Sequence, residues 1–260
     1  MSSKLTQEFA AKKREGRKLL VPYLMAGSTP EWISLAELAI SAGADAVEVG
    51  IPFSDPSIDG PVIQRAGEMA LDAGTTPLSV LRELQSHKFG VPIVVMTYYN
   101  IFFRMGLLRS ASELQVAGAS GVIVPDLPIE EAAGWLKAAS KAGVDVIQLV
   151  SPVTPTERAT QILEHARGFV YGVGLMGITG ERQDLAQTAT TMAAKITALS
   201  ELPVLIGIGI SSPQHAAAVV QAGADGVVVG SALVRRVIEG QSQQEIYAFL
   251  KSIRSALDAR

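Results

Sequence analysis

A ten-residue joint that recurs four times narrows the fold before anything else does. "SAGADAVEVG" (41–50), "VAGASGVIVP" (116–125), "KAGVDVIQLV" (141–150) and "QAGADGVVVG" (221–230) share one grammar. Ala-Gly closes a helical pattern, a small or acidic residue turns the chain, and a β-branched run follows. Glycine after a helix takes the left-handed cap, and Val/Ile runs are the pattern of strands buried on both faces. Repeated helix-to-strand joints imply consecutive βα units.

Filling the intervals yields eight strands, at roughly 19–26, 46–52, 92–99, 121–127, 145–151, 168–175, 203–209 and 226–230. Apolar residues at helical spacing lie between or after them: Ala159, Ile162, Leu163 and Ala166; Ala189, Met192, Ala193 and Ile196; Ile246, Phe249, Leu250 and Ile253. "TTPL" (75–78) and "SSPQ" (211–214) each place a hydroxyl before a proline, which starts a helix well. Eight strands alternating with helices in 260 residues predict an α/β chain folded as a closed (β/α)8 TIM barrel, one domain over 1–260, with an additional N-terminal helix at about 2–15 covering its bottom. A doubly wound open sheet would want G-x-G-x-x-G after its first strand, and "MAGSTP" lacks it.

Several classes drop out. A net charge of −3 without a run of Lys or Arg argues against nucleic acid and membrane surfaces. No 18-residue apolar stretch exists, and the charged start "MSSKLTQEFAAKKREG" lacks a signal core, so a cytoplasmic protein is expected. With no cysteine, thiolate chemistry and disulfides are excluded.

In such barrels the site lies at the C-terminal ends of the strands. His87, His165 and His215 fall on expected helices, as do Lys88, Lys137, Lys141, Lys195 and Lys251, while Lys18 enters strand 1 from the opposite end. No histidine pair has metal-ligand spacing. The groups left at the top are Glu48 on strand 2, Asp55 and Asp59 in its loop, Tyr98 and Tyr99 ending strand 3, Asp126 ending strand 4, and Tyr171 in strand 6. That set suits acid–base work without a metal or a covalent intermediate. Val47 and Val49 share one face, so Glu48 takes the other and points into the barrel mouth, where burial would raise its pKa. The alternative is a structural glutamate paired with a buried arginine or capping a loop amide. Asp55 and Asp59 are open to a plain turn role.

"LIGIGISSP" (205–213) ends strand 7 in Gly207 and Gly209, and "VVVGSALV" (227–234) ends strand 8 in Gly230 and Ser231. Loops after strands 7 and 8 with a short helix start form the recurrent phosphate cradle of barrels. The Gly-punctuated segment from "MGITG" (176–180) onward has the character of a lid.

Together these residues resemble the tryptophan synthase α-subunit family of indole-3-glycerol-phosphate lyases. The resemblance runs from about Val21 to Ser231 and rests on "VEVGIPFSDPSIDGPVIQRA", supported by "MTYYN", "VIVPDLP", "GITG", "GIGIS" and "GS". It implies cleavage to indole and glyceraldehyde 3-phosphate, with Glu48 as acid/base, Asp59 on the indole N–H and Tyr171 beside the reacting centre. It implies phosphate binding by Gly180, Gly209, Gly230 and Ser231, an indole slot lined by Tyr23, Met96, Tyr98 and Ile123, and Thr179 reaching Asp59 from the lid. It also implies a partner, the β subunit of an α2β2 complex, which would carry pyridoxal phosphate; no cofactor is expected in this chain. The chain departs from the family pattern at Tyr23, "MAGSTP", Ile101 and Leu175. Two other readings stay open here: another phosphate-binding barrel isomerase, and a partner-binding barrel with little activity alone.

Overall fold

The computed structural model describes residues 3–173, 182–207 and 209–259. Eight parallel strands close into a barrel in sequence order: β1 Leu19–Met25, β2 Val47–Gly50, β3 Ile93–Met96, β4 Ala119–Ile123, β5 Asp145–Val150, β6 Val170–Gly172, β7 Val204–Ile206 and β8 Gly226–Val229. The helices among the described residues are α1 Lys4–Arg14, α2 Trp32–Ser41, α3 Pro61–Asp72, α4 Pro77–Gln85, α5 Tyr99–Met105, α6 Leu107–Val116, α7 Ala133–Ala142, α8 Thr156–Glu164, α9 Arg182–Thr197, α10 Pro213–Gln221, α11 Ser231–Ile238 and α12 Gln243–Asp258. Thr76 and Ser212 cap α4 and α10 with their side chains, each followed by proline.

The recurrent joint behaves as its grammar predicts. Gly43, Gly118, Gly143 and Gly223 all have positive φ, so the chain leaves each helix through a conformation that costs glycine nothing and other residues strain. The strands then alternate. Val47 and Val49 pack outward with Trp32 and Leu35 of α2, while Ala46, Val94, Ile123 and Ile147 meet inside the barrel.

The N-terminal helix closes the floor. Leu5 and Phe9 are fully buried in the inner cluster, and Phe9 lies 5.6 Å from Phe169, ring centre to ring centre. Three of the joint aspartates bind this helix and the chain leaving it. Asp145 accepts from Ser3 and Thr6, Asp225 pairs with Lys13, and Asp45 pairs with Lys12 and Arg17. The feet of β2, β5 and β8 are thereby tied to one element.

Some boundaries differ from expectation. Strand 3 stops at Met96, and Tyr98 and Tyr99 belong to the start of α5. The reason is non-local: the Asp126 carboxylate accepts from the Tyr99 N–H at 2.8 Å and anchors the helix start. Asp126 itself lies past the end of β4, in the following turn. His87 and Lys88 follow α4 rather than lying on it, and His165 is the residue that ends α8.

Candidate active site

Glu48 stands on β2 beside Tyr23 of β1 and Val94 of β3. Its side chain is fully buried, and neither carboxylate oxygen has a hydrogen-bond partner among the described residues. Among the described residues neither a buried arginine nor a loop amide meets it. A carboxylate without donors in an apolar cylinder is costly as an anion. Burial first, and the neighbouring Asp59 second, push the Glu48 pKa up to about 8. Glu48 is therefore mostly protonated at neutral pH and able to give a proton up.

Asp59 ends the loop 51–60 that leaves β2, just before Gly60 and Pro61 begin α3. Tyr98 fixes the loop end: its hydroxyl accepts from the backbone N–H groups of Ile58 and Asp59 at 3.1 and 3.2 Å. The same hydroxyl bonds the Asp59 side chain, which opposes the upward shift that burial imposes on that carboxyl. Gln64 Nε2, one turn into α3, donates to the Asp59 carbonyl at 2.9 Å. Asp55 is exposed and contributes through its backbone, its carbonyl accepting from Ser57.

Beside Asp59 lies a narrow slot with a cavity volume of about 10 Å³, lined among others by Tyr23, Phe53, Asp59, Met96 and Tyr98. Phe53 and Tyr98 stack with ring centres 5.0 Å apart. Of the expected slot residues, Tyr23, Met96 and Tyr98 line it. Ile123 is not among the residues lining it; it is the register partner of Met96 and packs in the inner core with Val94 and Ile147.

Two tyrosines enter the mouth through space left by glycines. A Cβ built on Gly50 would overlap the Tyr23 hydroxyl, and one on Gly207 would overlap the Tyr171 hydroxyl. Burial, then the fields of both carboxylates, hold each phenol well above its ordinary pKa, so both stay neutral. For Tyr171 the stronger field is that of Glu48; for Tyr23 it is that of Asp59.

On the other side, Gly209 has a positive φ of 59°, and Gly230 caps the start of α11 with Ser231 as its exposed first residue. Glycine there leaves backbone N–H groups open to an anion at a helix start. His215, expected on a helix, also bears on this loop: its Nδ1 lies 3.0 Å from the Gly209 carbonyl. The available signal was its place three residues after the Ser212 cap, where a side chain can fold back over its own helix start. Thr179, Gly180 and Leu175 lie outside the described residues. Among the described residues, no three His, Asp or Glu side chains gather as a metal site requires.

The chain has clear relatives. A family profile described as "Tryptophan synthase alpha chain" matches residues 9–257. The tryptophan synthase alpha chain of Synechococcus sp. (strain CC9902) is 43% identical, covering 99% of this chain and 98% of that one. That of Methanosarcina barkeri (strain Fusaro / DSM 804) is 38% identical over 98% and 97%. Among solved structures, Mycobacterium tuberculosis tryptophan synthase superposes with a TM-score of 0.91 at 36% identity over the whole of both chains. Tryptophan synthase subunit alpha from Legionella pneumophila str. Paris gives 0.89 at 35% identity over 99% of each.

Proposed function

Because the chain belongs to the tryptophan synthase alpha-chain family, and so is a carbon–carbon lyase of tryptophan biosynthesis, we propose that Glu48 moves the protons of its reaction, Asp59 holds the indole ring and Tyr171 flanks the reacting centre. Protonated Glu48 delivers its proton to indole C3. The ring becomes a cation, spread onto the nitrogen whose N–H faces the Asp59 carboxylate. The hydroxyl on the carbon attached to C3 then loses its proton to the Glu48 carboxylate. The carbon–carbon bond breaks, its electron pair returns to the ring, and the carbonyl of glyceraldehyde 3-phosphate forms. Glu48 ends the cycle with the proton it began with.

The phosphate is assigned to the amides and hydroxyl at Gly209, Gly230 and Ser231, with Gly180 and Thr179 completing the cradle and the closure over Asp59. The slot is assigned to the indole ring, between Tyr23, Met96 and Tyr98, with Ile123 beside Met96 on the next strand. The whole chain, 1–260, is taken as one barrel domain.

We assign the chain a partner, the β subunit of an α2β2 assembly. Exposed apolar side chains support this: Ile58, Phe103, Leu108 and Val153 lie in segments that follow β2, β3 and β5 on the mouth side. Pyridoxal phosphate is assigned to that partner, as the family resemblance implies; the lysines described here lie on the helices or their flanks, and the Lys195 amine is already taken up by the Thr154 carbonyl. No described helix is long and apolar enough to cross a membrane, and the cytoplasm is the proposed location.

The observation that carries the reading is Glu48, buried without a partner and raised to about 8. Indole release from indole-3-glycerol phosphate, with and without the β subunit, tests it. Glu48→Gln is expected to keep ligand binding and lower turnover by about 10²-fold or more, the worth of a positioned general acid/base. Turnover retained in that variant would remove Glu48 from the role.

A further inference from the structure

We propose that Tyr23 is a positioning residue for the cleavage: with substrate in the slot, its hydroxyl donates a hydrogen bond to the Asp59 carboxylate, which is then held between two phenols, Tyr98 and Tyr23. This deepens the assignment of Asp59 to the indole nitrogen and rests on it.

Tyr23 sits on β1 in register with Glu48, and its ring rises to the level of Gly50, whose missing side chain leaves room for the hydroxyl. Tyr23 is 7% exposed and lines the slot together with Asp59 and Tyr98. Tyr98 is already committed, its hydroxyl accepting from two backbone amides. The Tyr23 hydroxyl has no hydrogen-bond partner among the described residues, and it is not sealed away as the Glu48 oxygens are. It is a free donor on a residue that lines the slot.

An aromatic ring entering the slot expels the water that could satisfy that donor, and a buried hydroxyl left unpaired is expensive. The titratable groups facing it are Glu48 on β2, Asp59 in the following loop, Tyr98 before α5 and Tyr171 on β6. The phenols are neutral. Glu48, protonated for its task, is a poor acceptor. Asp59 is the anionic acceptor, and a hydrogen bond to a charged group is the stronger kind. Asp59 is also the group whose field acts most on Tyr23.

The test is the pH dependence of kcat for indole-3-glycerol phosphate, measured with the β subunit present, in the parent chain, Tyr23→Phe, Asp59→Asn and the double variant. A donor to the ionised carboxylate lowers its pKa, so removing the donor raises it. Activity that needs ionised Asp59 then fails at a higher pH. Tyr23→Phe is expected to move the acid limb up by about one pH unit, with kcat down roughly tenfold. The alkaline limb, set by Glu48, stays in place. In the Asp59→Asn background the same change is expected to cost less than about twofold, because the two residues act through one contact. A parent-like acid limb in Tyr23→Phe, or full additivity in the double variant, overturns this inference alone. A parent chain without turnover, or Glu48→Gln with full turnover, overturns the reading beneath it and this inference with it.

Discussion

Arg254 and Asp45, far apart in sequence, meet at 3.0 Å with both side chains withdrawn from solvent. Asp45 is also the acceptor for Arg17, Lys12 and the Leu20 N–H, so one carboxylate joins α12, α1 with the segment after it, and the first strand. Breaking a buried pair by removing one partner strands the other charge. Asp45→Ala is expected to lower stability by about 3–5 kcal/mol, read from the midpoint of urea unfolding. Turnover per folded molecule should stay near the parent value, because the aspartate is at the floor and the proposed site is at the mouth.

Glu48 sets the opposite trade. Its folded pKa of about 8 lies above the ordinary 4.5, so the folded state binds the extra proton between those values. Stability therefore falls as pH rises through that window, and the cost at neutral pH is on the order of 3 kcal/mol. Glu48→Gln keeps the shape and removes the charge. Its melting temperature should exceed the parent's at pH 8 and approach it near pH 4.5, the reverse of its effect on turnover. Thermal melts of both proteins across that range check this.

Tyr98 holds two backbone N–H groups and the Asp59 side chain with one oxygen. Tyr98→Phe leaves both amides short of a partner and is expected to cost about 1–2 kcal/mol. It also withdraws a donor from Asp59. Since burial already raises that carboxyl, its pKa should rise further, and activity should begin to fail at a higher pH on the acid side. A pH–rate profile with a parent-like acid limb would show that Tyr98 serves only the loop.

Gly207 is small because the Tyr171 hydroxyl fills the place of its side chain. Gly207→Ala must drive that phenol from the place proposed for it beside the reacting centre or shift the end of β7. Overpacking of this kind costs about 1–3 kcal/mol. Turnover should drop by roughly tenfold or more if a positioned group is lost, while the far-ultraviolet circular dichroism of the barrel is unchanged.

Much of this architecture was legible locally. Ala-Gly followed by a β-branched run declared the joints, and the inward direction of Glu48 followed from Val47 and Val49 flanking it. What stayed hidden depends on partners remote in sequence. Asp45, Asp145 and Asp225 read as turn residues, because nothing near them announces that α1 crosses the floor to meet them. Strand 3 read too long because "MTYYN" is apolar and aromatic, and the group that ends it, Asp126, arrives from the next loop. His215 looked like a helix residue, and it is one; its second contact, to Gly209, needs the fold of the strand 7 loop. Ile123 is the register partner of Met96, which lines the slot, yet its own side chain packs into the inner core with Val94 and Ile147, a contact that alternation does not encode.

The floor described above has a mechanical meaning. One short helix latches the feet of the second, fifth and eighth staves of the cylinder, so none of the three can slip without dislodging it. Detaching that crossbar would unfasten three joints in a single event and make collapse abrupt. The opposite end, freed from holding the cylinder shut, can give its surface over to chemistry.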